Sequence, residues 1–214
     1  MFDLSLGIAI VLVSLFGYLS NSLNWRFLNY GVTRVLYYVG AFVHETSHAI
    51  LCVCTGAKIE EFTIISDRPH LTHRRSRLPI VGELLISAAP IAGGLLFLFL
   101  VNRYILGNYF VVPNISSWHD WPSIFAEPLS FLSQINLVQW QSWVMIFLSF
   151  NAGAMLGPSM RDLKNVWPVL VLLFLVKSPF LVGVCLAALS LIFVNIVLQA
   201  IVISLIKIAA LLRR

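Results

Sequence analysis

The chain has 214 residues, of which 59% are hydrophobic and only 11% charged, against roughly 25% charged in an ordinary soluble domain. Together with a mean hydropathy of +0.91, this excludes a soluble globular enzyme and indicates an integral membrane protein. The net charge of +5 does not make it a nucleic-acid binder, because the basic residues fall where membrane topology puts them.

Six apolar runs predict an all-α polytopic membrane protein. The spans lie at about 4–22, 29–55, 79–102, 141–156, 163–177 and 180–206, each judged against the roughly 20 residues that a helix needs to cross hydrocarbon. The first run is preceded by Asp3 and no Lys or Arg, and no small-residue cleavage site follows it, so it reads as a retained span. The second contains "GAFVHETSHAILCVC" and ends at Gly56. Next comes the polar loop "KIEEFTIISDRPHLTHRRSRLP". Its "FTII" predicts a short strand-like segment, and its His70 and His73 read as solvated.

The third run opens with Glu83 and carries Ala88, Ala89, Gly93 and Gly94, small residues that let helices approach closely. The segment at about 103–140 holds Trp118, Trp121, Trp140 and Trp143, the amphipathic aromatics of a headgroup belt, and a glycosylation sequon at Asn114. The fifth run is short and interrupted by Pro168. Cys52, Cys54 and Cys185 all lie in apolar runs, which excludes a disulfide framework.

Charge sets the orientation. Lys58, Arg68, Arg74, Arg75 and Arg77 place the loop after the second span in the cytoplasm. Propagating this puts ten of the fourteen basic residues on that side and leaves both termini cytoplasmic. With no polar stretch long enough to fold separately, residues 1–214 form a single membrane-embedded domain.

His44, Glu45 and His48 carry the chemistry. Positions i and i+4 share one helix face, so His44 and His48 can each give a nitrogen to one metal ion. Glu45 lies about 100° round the helix and can reach a water there without being a ligand. This is the H-E-x-x-H arrangement of zinc metallopeptidases, in which zinc lowers the pKa of its water to about 7 and the glutamate moves the proton. Ionisable groups near the bilayer centre are disfavoured by about 2.5 to 3.5 kcal/mol each, so an unused cluster is a poor explanation. Cys52 continues the spacing but lies about 6 Å further along the axis, where packing is the simpler role.

"FVHETSHAI", followed by "TGAKIEEFTI" and "PIVGELLISAAPIAGG", resembles the core of the site-2 protease family, the M50 intramembrane metalloproteases. The resemblance covers about residues 38–100. It implies a third metal ligand in a later "NxxPxxxxDG" motif, for which the matching region is "NAGAMLGPSMRDLK". There Asn151 and Asp162 correspond, the spacing differs, and Leu163 replaces the glycine. By resemblance Asp162 is the third ligand and Asn151 orients the substrate.

Among the acids, only Glu83 and Asp162 sit near helix ends on the cytoplasmic side, so Glu83 is the alternative third ligand. "SMRD" also matches a helix capping box, giving Asp162 a second possible role. His48 lies about 12 Å of helix before Gly56, which puts the site inside the membrane but nearer the cytoplasm.

The expected protein is therefore a zinc endopeptidase that works in the lipid bilayer on the transmembrane helix of a membrane-protein substrate, with no nucleic-acid partner. Three rivals stand beside it: a prenylated-protein-processing metalloprotease, a catalytically silent relative that binds membrane proteins, and a metal transporter. The first calls for a glutamate on a later helix, the second need not keep Glu45, and the third would offer several ligand clusters.

Overall fold

The computed structural model describes residues 5–27, 37–64, 69–109, 133–159, 162, 164–165, 171 and 178–212. The apolar runs become five long helices: α1 (Ser5–Phe27), α2 (Tyr38–Thr55), α3 (Val81–Leu100), α4 (Trp140–Leu156) and α5 (Pro179–Leu212). One π-helical turn, Val101–Ile105, extends α3.

Three stretches among the described residues are long and apolar enough to cross a membrane: Leu6–Leu23, Val81–Ile105 and Pro179–Leu205. The six spans expected from the sequence thus reduce to three by this criterion. The physical reasons are local. α2 interrupts its apolar run with His44, Glu45, Ser47 and His48, all buried, and α4 has only 17 residues. The fifth predicted span with Pro168 lies outside the described residues apart from Lys164, Asn165 and Val171, as do Trp118, Trp121 and the Asn114 sequon.

Local chemistry sets the helix ends. Gly56, at φ 70°, ends α2 in the left-handed conformation that glycine adopts at no steric cost. Its N–H reaches Val53 O at 3.2 Å and that of Ala57 reaches Cys52 O at 2.8 Å, a Schellman closure of the last carbonyls. At the start of α5, Ser178 Oγ accepts the Leu181 N–H at 3.4 Å and Pro179 occupies the first helical position, which needs no donor.

After Gly56 the chain forms an antiparallel hairpin of β1 (Ile59–Thr63) and β2 (His70–His73). Glu61 lies opposite Thr72, Phe62 opposite Leu71 and Thr63 opposite His70, with an irregularity between Ile59 and Glu61. The expected strand is present, shifted towards the glycine, and the stretch read as a loop supplies its partner. The hairpin has its own small core, in which Ile59 and Leu71 pack on Cys52, Ala57 and Ile86. This seats it against α2 and α3.

The main core lies between the helices, with Val13, Met145, Met155, Leu156, Leu186 and Ile192 almost fully buried. Close approaches set the spacing. A side chain at Gly93 of α3 would collide with Ser47 Oγ of α2, so the helix bearing the histidines packs directly on α3. Deep in the bundle, Asn195 Nδ2 of α5 donates to Ser20 Oγ of α1 at 2.7 Å. Gln199 Nε2 donates to Ser20 O at 3.2 Å, a polar tie of the kind that joins helices where water is excluded.

Candidate metal centre

His44 and His48 stand one turn apart on α2, both buried, with ring centroids 5.0 Å apart. Each is held by a backbone carbonyl of another helix. His44 Nδ1 lies 3.3 Å from Met155 O of α4, and His48 Nδ1 lies 2.8 Å from Ile86 O of α3. A carbonyl only accepts, so in both rings Nδ1 carries the hydrogen and Nε2 keeps its lone pair. Metal-ligating imidazoles are commonly fixed in this way.

Asp162 completes the cluster. Its Oδ2 is 3.8 Å from His48 Nε2, and one ligand atom from each of His44, His48 and Asp162 lies within 4.8 Å of the others. Tetrahedral zinc with bonds of about 2.0 to 2.1 Å holds its donors roughly 3.3 Å apart, so a modest inward movement suffices. Two imidazoles and a carboxylate suit zinc, and three protein donors leave a fourth position open, as in catalytic sites. The donor set therefore fits the metal implied by the sequence.

The capping role of Asp162 is also present. Its N–H donates to Ser159 Oγ at 3.1 Å. In return Asp162 Oδ2 accepts the Ser159 N–H at 2.9 Å and hydroxyl at 2.6 Å. A carboxylate has about four lone-pair sites, so capping and metal ligation are compatible, and Ser159 fixes the direction of the carboxylate.

Glu83, the alternative third ligand, is outside this cluster. Its Oε1 accepts the Ser76 N–H at 3.0 Å, while Ser76 Oγ donates to Thr55 O at 2.9 Å. Glu83 thus secures the turn entering α3, the helix end at which a carboxylate is favoured.

Asn151 lies between α2 and α4. It is fully buried, its Oδ1 accepts the Gly40 N–H at 2.7 Å, and its Nδ2 donates to Phe147 O at 2.9 Å. Gly40 lies in the first turn of α2, where N–H groups have no partner within the helix, and Tyr37 before it supplies no side-chain cap. Asn151 caps α2 from α4 and does not face the cavity. Cys52 is fully buried in the hairpin core.

The cluster opens into a cavity of about 180 Å³, lined by His44, Glu45, His48 and Asp162 and by Pro69, His70, Leu71, His73, Glu83, Ile86, Ser87, Ser159 and Asn165. Glu45 is buried and faces the same space, where it can exchange a proton with a water held there. The hairpin forms one wall and brings in His70 and His73, which the sequence reading left in solvent. The alternation in "PHLTH", with Leu71 and the β-branched Thr72 after a proline, is the signal that could have revealed the second strand.

A model of the family described as Peptidase M50B-like matches residues 6–111, about half of the chain. This stretch takes in α1, α2, the hairpin and α3. No curated protein and no solved structure gave a match.

Proposed function

Because the chain belongs to the M50 peptidase family, we propose that it is a zinc-dependent intramembrane endopeptidase that cuts transmembrane segments of other membrane proteins. The observation that carries this reading is the convergence of His44, His48 and Asp162 beside Glu45 in one cavity. One wall of that cavity is α3, which is long and apolar enough to span a bilayer. His44, His48 and Asp162 would hold the zinc. When bound, zinc acidifies water and polarises the scissile carbonyl.

Glu45 takes a proton from the attacking water as its oxygen bonds to the carbonyl carbon, and returns it to the leaving nitrogen as the C–N bond breaks. The carbonyls of Met155 and Ile86 keep both ligand histidines in the required tautomer, and Ser159 holds the carboxylate of Asp162. Asn151 serves as a joint between α2 and α4 rather than as a substrate contact.

A substrate helix must unwind to expose a peptide carbonyl, which favours cleavage near Gly, Asn or Pro. Among the described residues the sheet has two strands, and the unwound segment can add to it as a further strand. α2 and α4 supply further crossings, and both termini lie in the cytoplasm. The test is cleavage of a labelled transmembrane substrate in nanodiscs. Glu45→Gln should abolish it with zinc still bound, and undiminished turnover in that variant would sink the mechanism.

A further inference from the structure

Pro90 stands in the interior of α3 and is buried. A proline there is costly to a helix, because it has no N–H and its ring crowds the carbonyl four residues earlier. That carbonyl belongs to Ile86, the group that holds His48. We propose that Pro90 is a positioning residue of the metal centre: it releases the Ile86 carbonyl from the helix ladder, so that this oxygen takes the His48 Nδ1 hydrogen and leaves Nε2 for the zinc. The proposal rests on the zinc reading above and adds a residue outside the cavity lining.

Helical carbonyls are ordinarily occupied. Each accepts from the N–H four residues on and points along its own helix, whereas His48 lies on a neighbouring one. Residue 90 offers Ile86 no such donor. In a bilayer a carbonyl freed by proline finds its donor on another helix, a hydroxyl or a water, and here His48 Nδ1 fills that place at 2.8 Å. The approach of the two helices is set nearby, where Gly93 packs against Ser47, the residue before His48. Gly93 sets the distance and Pro90 the direction.

His44 obeys the same rule by another route. Its Nδ1 lies 3.3 Å from Met155 O, a carbonyl in the last turn of α4, where helical donors run out. The N–H four residues on, that of Ser159, is given to Asp162 Oδ2 at 2.9 Å. Both ligand imidazoles therefore rest on carbonyls without the usual helical donor, one at a helix end and one in mid-helix. α4 frees its carbonyl by ending. α3 runs on to Leu100 within a stretch long enough to cross a membrane, so a proline opens it without stopping it.

The test compares three proteins in nanodiscs: wild type, Pro90→Ala, and a chain with the α-hydroxy analogue of alanine at position 90, introduced by nonsense suppression. Alanine restores the N–H, whereas the resulting ester has neither the N–H nor the ring. Nitrogen-15 spectra of histidine-labelled, metal-free protein at about pH 8, where an ordinary imidazole is neutral, report which ring nitrogen carries the hydrogen. In the wild type His48 should carry it on Nδ1. Pro90→Ala should give a mixture of tautomers and weaken zinc binding about tenfold by chelator competition. That is the low end of the loss when a ligand histidine loses its supporting bond, because the carbonyl itself remains. The ester should match the wild type in both readouts.

A wild-type His48 protonated on Nε2, an unchanged tautomer and zinc affinity in Pro90→Ala, or an ester as weak as Pro90→Ala would overturn the proposal, the last by assigning the effect to the lost ring. Should Pro90→Ala not fold, the wild-type spectrum and the ester still decide. Because the tautomer is read without metal, the two readings fail separately. Normal zinc uptake with His48 protonated on Nε2 removes the role of Pro90 alone. A wild type that takes up no zinc but holds His48 protonated on Nδ1 removes the zinc reading and leaves Pro90 as the residue that orients the ring.

Discussion

Replacing Asn151 with Ala separates a structural joint from a substrate contact. The substitution removes the acceptor of the 2.7 Å bond from the Gly40 N–H and leaves that first-turn donor buried between α2 and α4. An orphaned buried donor costs about 1 to 3 kcal/mol in proteins generally. Interhelical bonds within bilayers average only about 0.6 and reach about 1.7 kcal/mol, because the membrane reference state also finds partners. The second bond, Asn151 Nδ2 to Phe147 O at 2.9 Å, adds little, since that carbonyl keeps its helical partner. A loss of about 1 to 2 kcal/mol is therefore expected, a factor of roughly 5 to 30 in the folding equilibrium. Tryptophan-monitored unfolding in mixed micelles reads it directly, and turnover per folded molecule should stay within a fewfold of wild type. Unchanged stability together with a hundredfold loss of turnover would refute this reasoning and return Asn151 to the substrate.

Three further outcomes follow from the same geometry. Ser159→Ala frees the Asp162 carboxylate from its 2.6 Å bond and should weaken zinc binding by about 10-fold to 100-fold, measured by competition with a chelator. Glu83→Ala should keep one zinc per chain by elemental analysis, because Glu83 secures Ser76 and lies outside the ligand cluster. Loss of the metal in that variant would move the third ligand there. Gly93→Val drives a side chain into Ser47, beside His48, and should cost about 1 to 3 kcal/mol of stability through overpacking with weaker zinc retention. A variant as stable as wild type would show that α2 and α3 are not held by that contact.

The sequence was most informative where chemistry is local. A four-residue interval puts His44 and His48 on one face whatever surrounds them, and Gly56 ends α2 because few other residues take its positive φ without strain. The membrane character follows from composition alone, although the number of spans does not. A helix that carries its own polar site, such as α2, loses the hydropathy by which spans are recognised. Asp162 is 114 residues beyond His48, and only tertiary packing brings their ligand atoms to 3.8 Å.

The carbonyls of Met155 and Ile86 that orient the histidines are backbone groups; a helix end or a proline marks each as unpaired, but nothing local says which ring takes it. The bonds of Asn151 to Gly40 and Phe147 were equally hidden, since its motif position carries no sign of which helix it packs against. β2 was missed because four residues with two histidines look solvated until their pairing with β1 is known.

The central claim is the three-ligand zinc site, and zinc stoichiometry tests it most directly. Purified wild-type protein should bind one zinc per chain by mass spectrometry or elemental analysis, with His44→Ala and Asp162→Ala each losing it while remaining folded. A folded wild type that takes up no zinc on reconstitution would contradict the account and favour a silent membrane-binding relative.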